Sequence, residues 1–136
     1  MRIIVCVDDT YGMLFNRRRQ SKDSLLRADM LGITENSKLW MNAYSASQFE
    51  EQTDNICVDE DFLHKAEQDD YCFVENADIA PYAESILCVI VYRWNRSYPS
   101  DQKFPAELFE TRWQLESTVD FAGSSHETIT REVYVL

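Results

Sequence analysis

Residues 2–16 read RIIVCVDDTYGMLFN, and the opening run decides the architecture. From Ile3 to Val7 every side chain is apolar, with no alternation. A strand with one wet face alternates; an unbroken run belongs to a strand covered on both faces, as in parallel sheets flanked by helices. Asp8 and Asp9 end the run, and residues 8–16 read as a loop around Gly12. Further along, residues 86–92 (ILCVIVY) form the longest apolar run and predict a second buried strand. Shorter strands are expected at 38–42 (KLWMN), 56–58 and 71–75 (YCFVE). At the C-terminal end, 115–121 and 129–136 read as an antiparallel pair, with Ile129, Arg131, Val133 and Val135 alternating against Thr130, Glu132, Tyr134 and Leu136.

Helices fall between the strands. Ser21 is a candidate cap for a helix through Leu25, Leu26 and Met30, with Gly32 as a left-handed stop. Ser45 and Gln48 have capping-box spacing. Asp59 is expected to cap a helix carrying Phe62, Leu63 and Ala66, and Asp78 one with Pro81 in its first turn. Strands that alternate with helices predict an α/β fold: a central, mostly parallel sheet, flanking helices and an antiparallel C-terminal hairpin.

At 136 residues with 45% hydrophobic content, the chain suits a single domain with one ordinary core. Its net charge of −11 excludes sequence-independent binding to nucleic acid or to an anionic membrane, which needs many cations. Basic residues are nonetheless concentrated early, in Arg17-Arg18-Arg19, just ahead of a helix N-terminus that itself favours anions. The apolar runs fall far short of the ~20 residues of a membrane span, and no signal peptide is legible. Cys6, Cys57, Cys72 and Cys88 lie in separate strand-like runs, without metal-ligand spacing, and read as reduced core thiols of a cytoplasmic protein.

The order of these elements brings in a family. RIIVCVDDTYGMLFN resembles the opening of dihydrofolate reductases, where a first strand leads into N-G-I-G-x-N; Gly12, Met13 and Asn16 stand at matching positions. KLWMNAYS (38–45) is similar to the family's V-I-M-G-R-x-T turn. DYCFVENADIAPY (70–82) resembles the strand that carries its paired glycines, and DQKFP (101–105) resembles D-T-x-F-P. WQLES and FAGSSHETITREVYVL resemble its terminal hairpin. The resemblance is collinear over nearly the whole chain and implies a dihydrofolate-reductase-like domain spanning residues 1–136.

It also implies NADPH as cofactor, but the positions that would hold it differ. Glu75-Asn76 replaces the glycine pair that lets the backbone approach a pyrophosphate, and a carboxylate there repels phosphate. Ala43 replaces the phosphate-binding arginine, leaving the Ser45 hydroxyl. The stretch from 49 to 56 is too short for the turn that reads the ribose phosphate. The L-P-W segment is absent. The family's buried acid has no match in register, although Asp23 would stand in with a shortened chain, and Tyr92 replaces the supporting threonine. The expectation is therefore no cofactor, and a domain that has lost NADPH-dependent reduction. What remains is a cleft for a small anionic or nucleotide-like ligand, or a protein partner.

The cleft is expected outside the carboxyl ends of the strands, where open α/β sheets bind ligands. Binding candidates are Asn16, Arg17, Arg18, Arg19, Asn42, Ser45, Asn76, Arg93 and Arg96. Arginines on the first loop and after the late strand would flank an anion there. Catalytic candidates are Asp23 and His126, the latter beside Ser124-Ser125; His64 reads as a surface residue. Two alternatives stand beside this reading. One is an atypical NADPH-dependent reductase. The other is a small ribonuclease, of the kind labelled ribonuclease Z, that works through Arg and His without that family's H-x-H-x-D-H zinc motif, which the chain lacks. No metal is expected.

Overall fold

The computed structural model describes residues 1–51 and 53–136. In chain order the strands and helices are β1 (Arg2–Val7), β2 (Gly12–Phe15), β3 (Arg18–Arg19), α1 (Ser24–Ile33), β4 (Leu39–Met41), α2 (Ala43–Ala46) and β5 (Ile56–Val58). There follow α3 (Phe62–Lys65), β6 (Tyr71–Phe73), a 3-10 helix (Ala80–Ser85), β7 (Cys88–Arg93), β8 (Gln102–Lys103), α4 (Glu107–Arg112), β9 (Gln114–Phe121) and β10 (Ile129–Val135). Seven strands form the main sheet in the order β5-β4-β6-β1-β7-β10-β9. The first five are parallel, and β10 turns back antiparallel to β7. The expected mixed α/β architecture is the one observed.

β1 is central because both its faces are apolar. Ile3, Val5 and Val7 pack with Val89, Val91, Phe62, Ile79 and Phe104 on one side. Ile4 packs with Ile90, Tyr92, Phe73 and the α1 residues Leu26 and Met30 on the other. Parallel pairing also brings the carboxyl ends of β4, β6, β1 and β7 to one rim, so the residues that follow these strands meet there.

Several local expectations need correction. Residues 8–16 are not a plain loop: β2 and β3 form a hairpin, and β8 joins them in a three-stranded sheet. Its two-residue turn places Asn16 (φ 51°) and Arg17 (φ 64°) in the left-handed region. A tight hairpin of this hand requires that conformation. Asn tolerates it; an arginine there costs on the order of 1 kcal/mol. Gly12 is needed for a different reason, since a Cβ would lie 2.7 Å from the Ser100 Cβ.

Helix α1 is capped by Asp23, not Ser21, and continues through Gly32 to Ile33. Gly32 is helical, and the stop comes from Thr34, whose N–H and hydroxyl both donate to the Met30 carbonyl. Asn42, not Ser45, opens α2, because its Oδ1 accepts from the Ser45 N–H at 3.0 Å. Asp61 precedes α3, while Asp59 accepts from the Asp61 N–H. Pro81 does sit in a first turn, after Asp78 accepts from the Ala80 N–H, but the turn is 3-10. Among the described residues no helix is long and apolar enough to cross a membrane.

Candidate functional site

At the rim, Asn42 ends β4 and Asn76 follows β6. The Asn42 Nδ2 donates to the Asn76 Oδ1 at 2.7 Å, so these two predicted residues do meet, with Ser45 buried beneath them. The Ser45 Oγ is buried and has no hydrogen-bond partner among the described residues.

Arg19 reaches this rim from β3. Its Nε and Nη2 donate to the two carboxylate oxygens of Glu75 at 2.9 and 3.1 Å, and Nη2 also donates to the Tyr44 carbonyl at 2.9 Å. The guanidinium lies over the Tyr44 ring, 4.2 Å from its centroid, and the Tyr44 hydroxyl accepts from the Arg19 N–H. This fork-to-carboxylate pairing is the strongest form of such a contact. The Glu75 side chain is only 8% exposed. Burial pulls the Arg19 pKa down, but Glu75 beside it outweighs that and raises it. Beneath the pair, the space bounded by Cys6, Met13, Gln20 and Trp94 measures about 10 Å³, at the lower limit for one water. The Arg19–Glu75 pair thus stands at one border of the crevice between the ends of β1 and β6. The carboxylate at this strand end is committed to Arg19, and Ala43 supplies no cation beside it.

Asp8, at the end of β1, is fully buried. Its carboxylate accepts from the N–H groups of Thr10, Gly12 and Tyr98, and from Gln20 Nε2. Burial pushes its pKa up, and these donors more than reverse the shift and lower it. Asp8 therefore ties β1, the hairpin and the 97–99 segment together without an arginine.

The remaining arginines separate into two kinds. Arg93 pairs with Glu132, donates to the Tyr11 hydroxyl at 3.2 Å and lies over the Tyr11 ring. Arg17, Arg18 and Arg96 are exposed and have no carboxylate partner among the described residues. The structure thus does not gather Arg17–Arg19 with Arg93 and Arg96 around one cleft. Arg19 and Arg93 are internally neutralised, and the free cations stand at the hairpin turn and beyond β7.

Asp23 and His126 do meet, but in a clamp. Asp23 caps α1 and accepts from the Ser124 and Ser125 N–H groups at 3.0 and 2.8 Å, and its Oδ2 is 3.1 Å from His126 Nδ1. Burial raises the Asp23 pKa, and these hydrogen bonds override it and hold the carboxyl well below its ordinary range. His126 Nε2 is 2.8 Å from the Tyr98 hydroxyl, and the ring stacks on Trp94. The Ser125 hydroxyl donates to the Lys22 carbonyl. With both His126 nitrogens engaged and its side chain 2% exposed, this cluster has no free base for a nucleophile. It docks the β9–β10 loop onto α1. Among the described residues, no three His, Cys, Asp or Glu side chains are grouped to hold a metal.

Sequence reasoning missed the partnership of Arg19 with Glu75, although each residue was noted; the signal was a lone carboxylate at a strand end and a basic triplet with no local partner. It also missed Asp29, which accepts from the Tyr92 hydroxyl at 2.6 Å and from Arg131.

Two openings remain near the rim. A cavity of about 220 Å³ opens at the β1 and β6 ends themselves, lined by Val5, Val74 and Glu75 together with Met13, Ile79 and Phe104. A larger groove of about 580 Å³ runs between the β2–β3 hairpin and the 98–99 segment.

No protein-family model matches the sequence, and no curated protein matches it significantly. Among solved structures, a dihydrofolate reductase from Enterococcus faecalis, complexed with NADP(H) and RAB-propyl, superposes with a TM-score of 0.64 at 11% identity, covering 98% of this chain and 94% of that one. At that identity the likeness speaks to architecture, and the chain has a dihydrofolate-reductase-like fold.

Proposed function

We propose that this chain is a dihydrofolate-reductase-like binding domain that does not carry out NADPH-dependent reduction, and that its ligand is small and anionic or nucleotide-like. The observation that carries the reading is the Arg19–Glu75 pair in the crevice at the carboxyl ends of β1 and β6. A half-buried ion pair with both oxygens hydrogen-bonded is costly to break, because either partner alone becomes a poorly compensated charge. A dinucleotide at this strand end would face Glu75. The catalytic candidates support the same reading. Asp23 is held ionised and saturated with donors, whereas a proton donor needs a pKa near the working pH. The free arginines, by contrast, lie outside this crevice. Four unpaired cysteines suit a reducing, cytoplasmic setting.

The direct test is turnover. Purified protein mixed with NADPH and dihydrofolate is expected to leave the reduced-nicotinamide absorbance unchanged beyond the rate without protein. Protein-dependent oxidation of NADPH coupled to tetrahydrofolate formation would overturn the reading.

A further inference from the structure

The chain carries nine arginines on a protein of net charge −11. Six of them, at positions 2, 19, 27, 93, 112 and 131, find carboxylates. Arg18 does not, among the described residues, although acidic side chains outnumber basic ones nearly two to one. It lines the groove of about 580 Å³ between the β2–β3 hairpin and the 98–99 segment. That size falls within the roughly 300–1,000 Å³ typical of small-molecule sites.

The other walls are specific. Phe15, 43% exposed, presents an aromatic face on the hairpin. Tyr98 lines the groove as well, and its ring is fixed because its hydroxyl is held by His126 and its N–H donates to Asp8. Gln20 also lines the groove. Its Nε2 donates to Asp8 at 3.0 Å. No Asp or Glu lines the groove. Cation and aromatic walls match two parts of one ligand class. An arginine takes a phosphate by paired N–H donors. An aromatic ring takes a flat base by stacking.

We propose that this groove binds a free nucleoside 5′-monophosphate, with the phosphate on Arg18 and the base against Phe15 and Tyr98. This rests on the binding-domain reading above and assigns it a place away from the β1 and β6 strand ends. The shared chemistry of a 5′-phosphorylated RNA end is disfavoured by the acidic body, which repels a polyanion.

The test is a titration of 15N-labelled full-length protein with AMP, followed by amide shifts. Expected are saturable shifts, with a Kd on the order of 1 mM, centred on residues 15–20 and 97–99. Arg18→Ala and Phe15→Ala, both at exposed positions, should each weaken binding about tenfold. Lys38→Ala, an exposed cation away from the groove, should leave it unchanged. The proposal is overturned by absence of saturation up to ~10 mM, by shifts centred elsewhere, or by inorganic phosphate binding as tightly as AMP. Insensitivity to Arg18→Ala, or tighter binding of a 5′-phosphorylated oligoribonucleotide than of AMP, overturns it equally. Failure here with NADPH oxidation still absent removes the groove alone; NADPH turnover removes the reading beneath it.

Discussion

Asp23 shows how one carboxylate joins distant parts of the chain. It caps α1 through the Leu25 and Leu26 N–H groups and holds the 124–126 loop through three more donors. Gly123 makes room for this, since a Cβ there would lie 2.5 Å from Asp23 Oδ2. The pH consequence follows from the depressed pKa. A carboxyl whose pKa is lower in the folded than in the unfolded chain stabilises the fold above its unfolded value, near 4, and loses that contribution as pH falls toward the folded value. Asp23→Ala should cost about 3–5 kcal/mol at pH 7, from the lost cap and the stranded N–H groups. Asp23→Asn should be less stable than wild type at pH 7, with a smaller loss on going to pH 3. Urea midpoints at the two pH values decide this; an equal drop in both proteins would mean that the carboxylate's charge is not what matters. The sequence showed Asp23 only as a stand-in for a missing acid. Its partners lie about a hundred residues away, and spacing carries no trace of such contacts.

At the scale of elements, α1 offers a clean check. Gly32 lies inside the helix, exposed, with nothing within 4 Å of where a Cβ would stand. Gly32→Ala should therefore stabilise the protein by about 0.5–1 kcal/mol through helix propensity and reduced freedom of the unfolded chain. A destabilised variant in urea denaturation would show that the helix ends earlier, as the glycine alone suggests. Long apolar runs were legible: β1, β7 and the β9–β10 pair lie where their patterns place them. The three-stranded sheet was not, because β3 and β8 have two residues each and carry no period. Caps slipped by two or three residues for a physical reason. Ser21 and Ser45 offer the right chemistry, but Asp23 and Asn42 are placed by tertiary contacts to do the same work.

For the whole molecule, parallel pairing was implied by doubly buried strands, whereas strand order was not. That order sets the rim where Asn42, Glu75, Asn76 and Asp8 converge, and it brings Arg19 within reach of Glu75 across 56 positions of sequence. The molecule thus has a dihydrofolate-reductase-like fold with an Arg19–Glu75 pair at the strand ends, and that pair carries the proposal that it does not bind NADPH. This central claim is tested most directly by equilibrium titration with NADPH, read by tryptophan fluorescence, since Trp94 borders the closed space beneath Arg19 and Glu75. No saturation is expected below about the millimolar range, because the Glu75 carboxylate held by Arg19 repels a pyrophosphate at this strand end. Saturable quenching in the micromolar range would show that the crevice admits the cofactor and would contradict the claim.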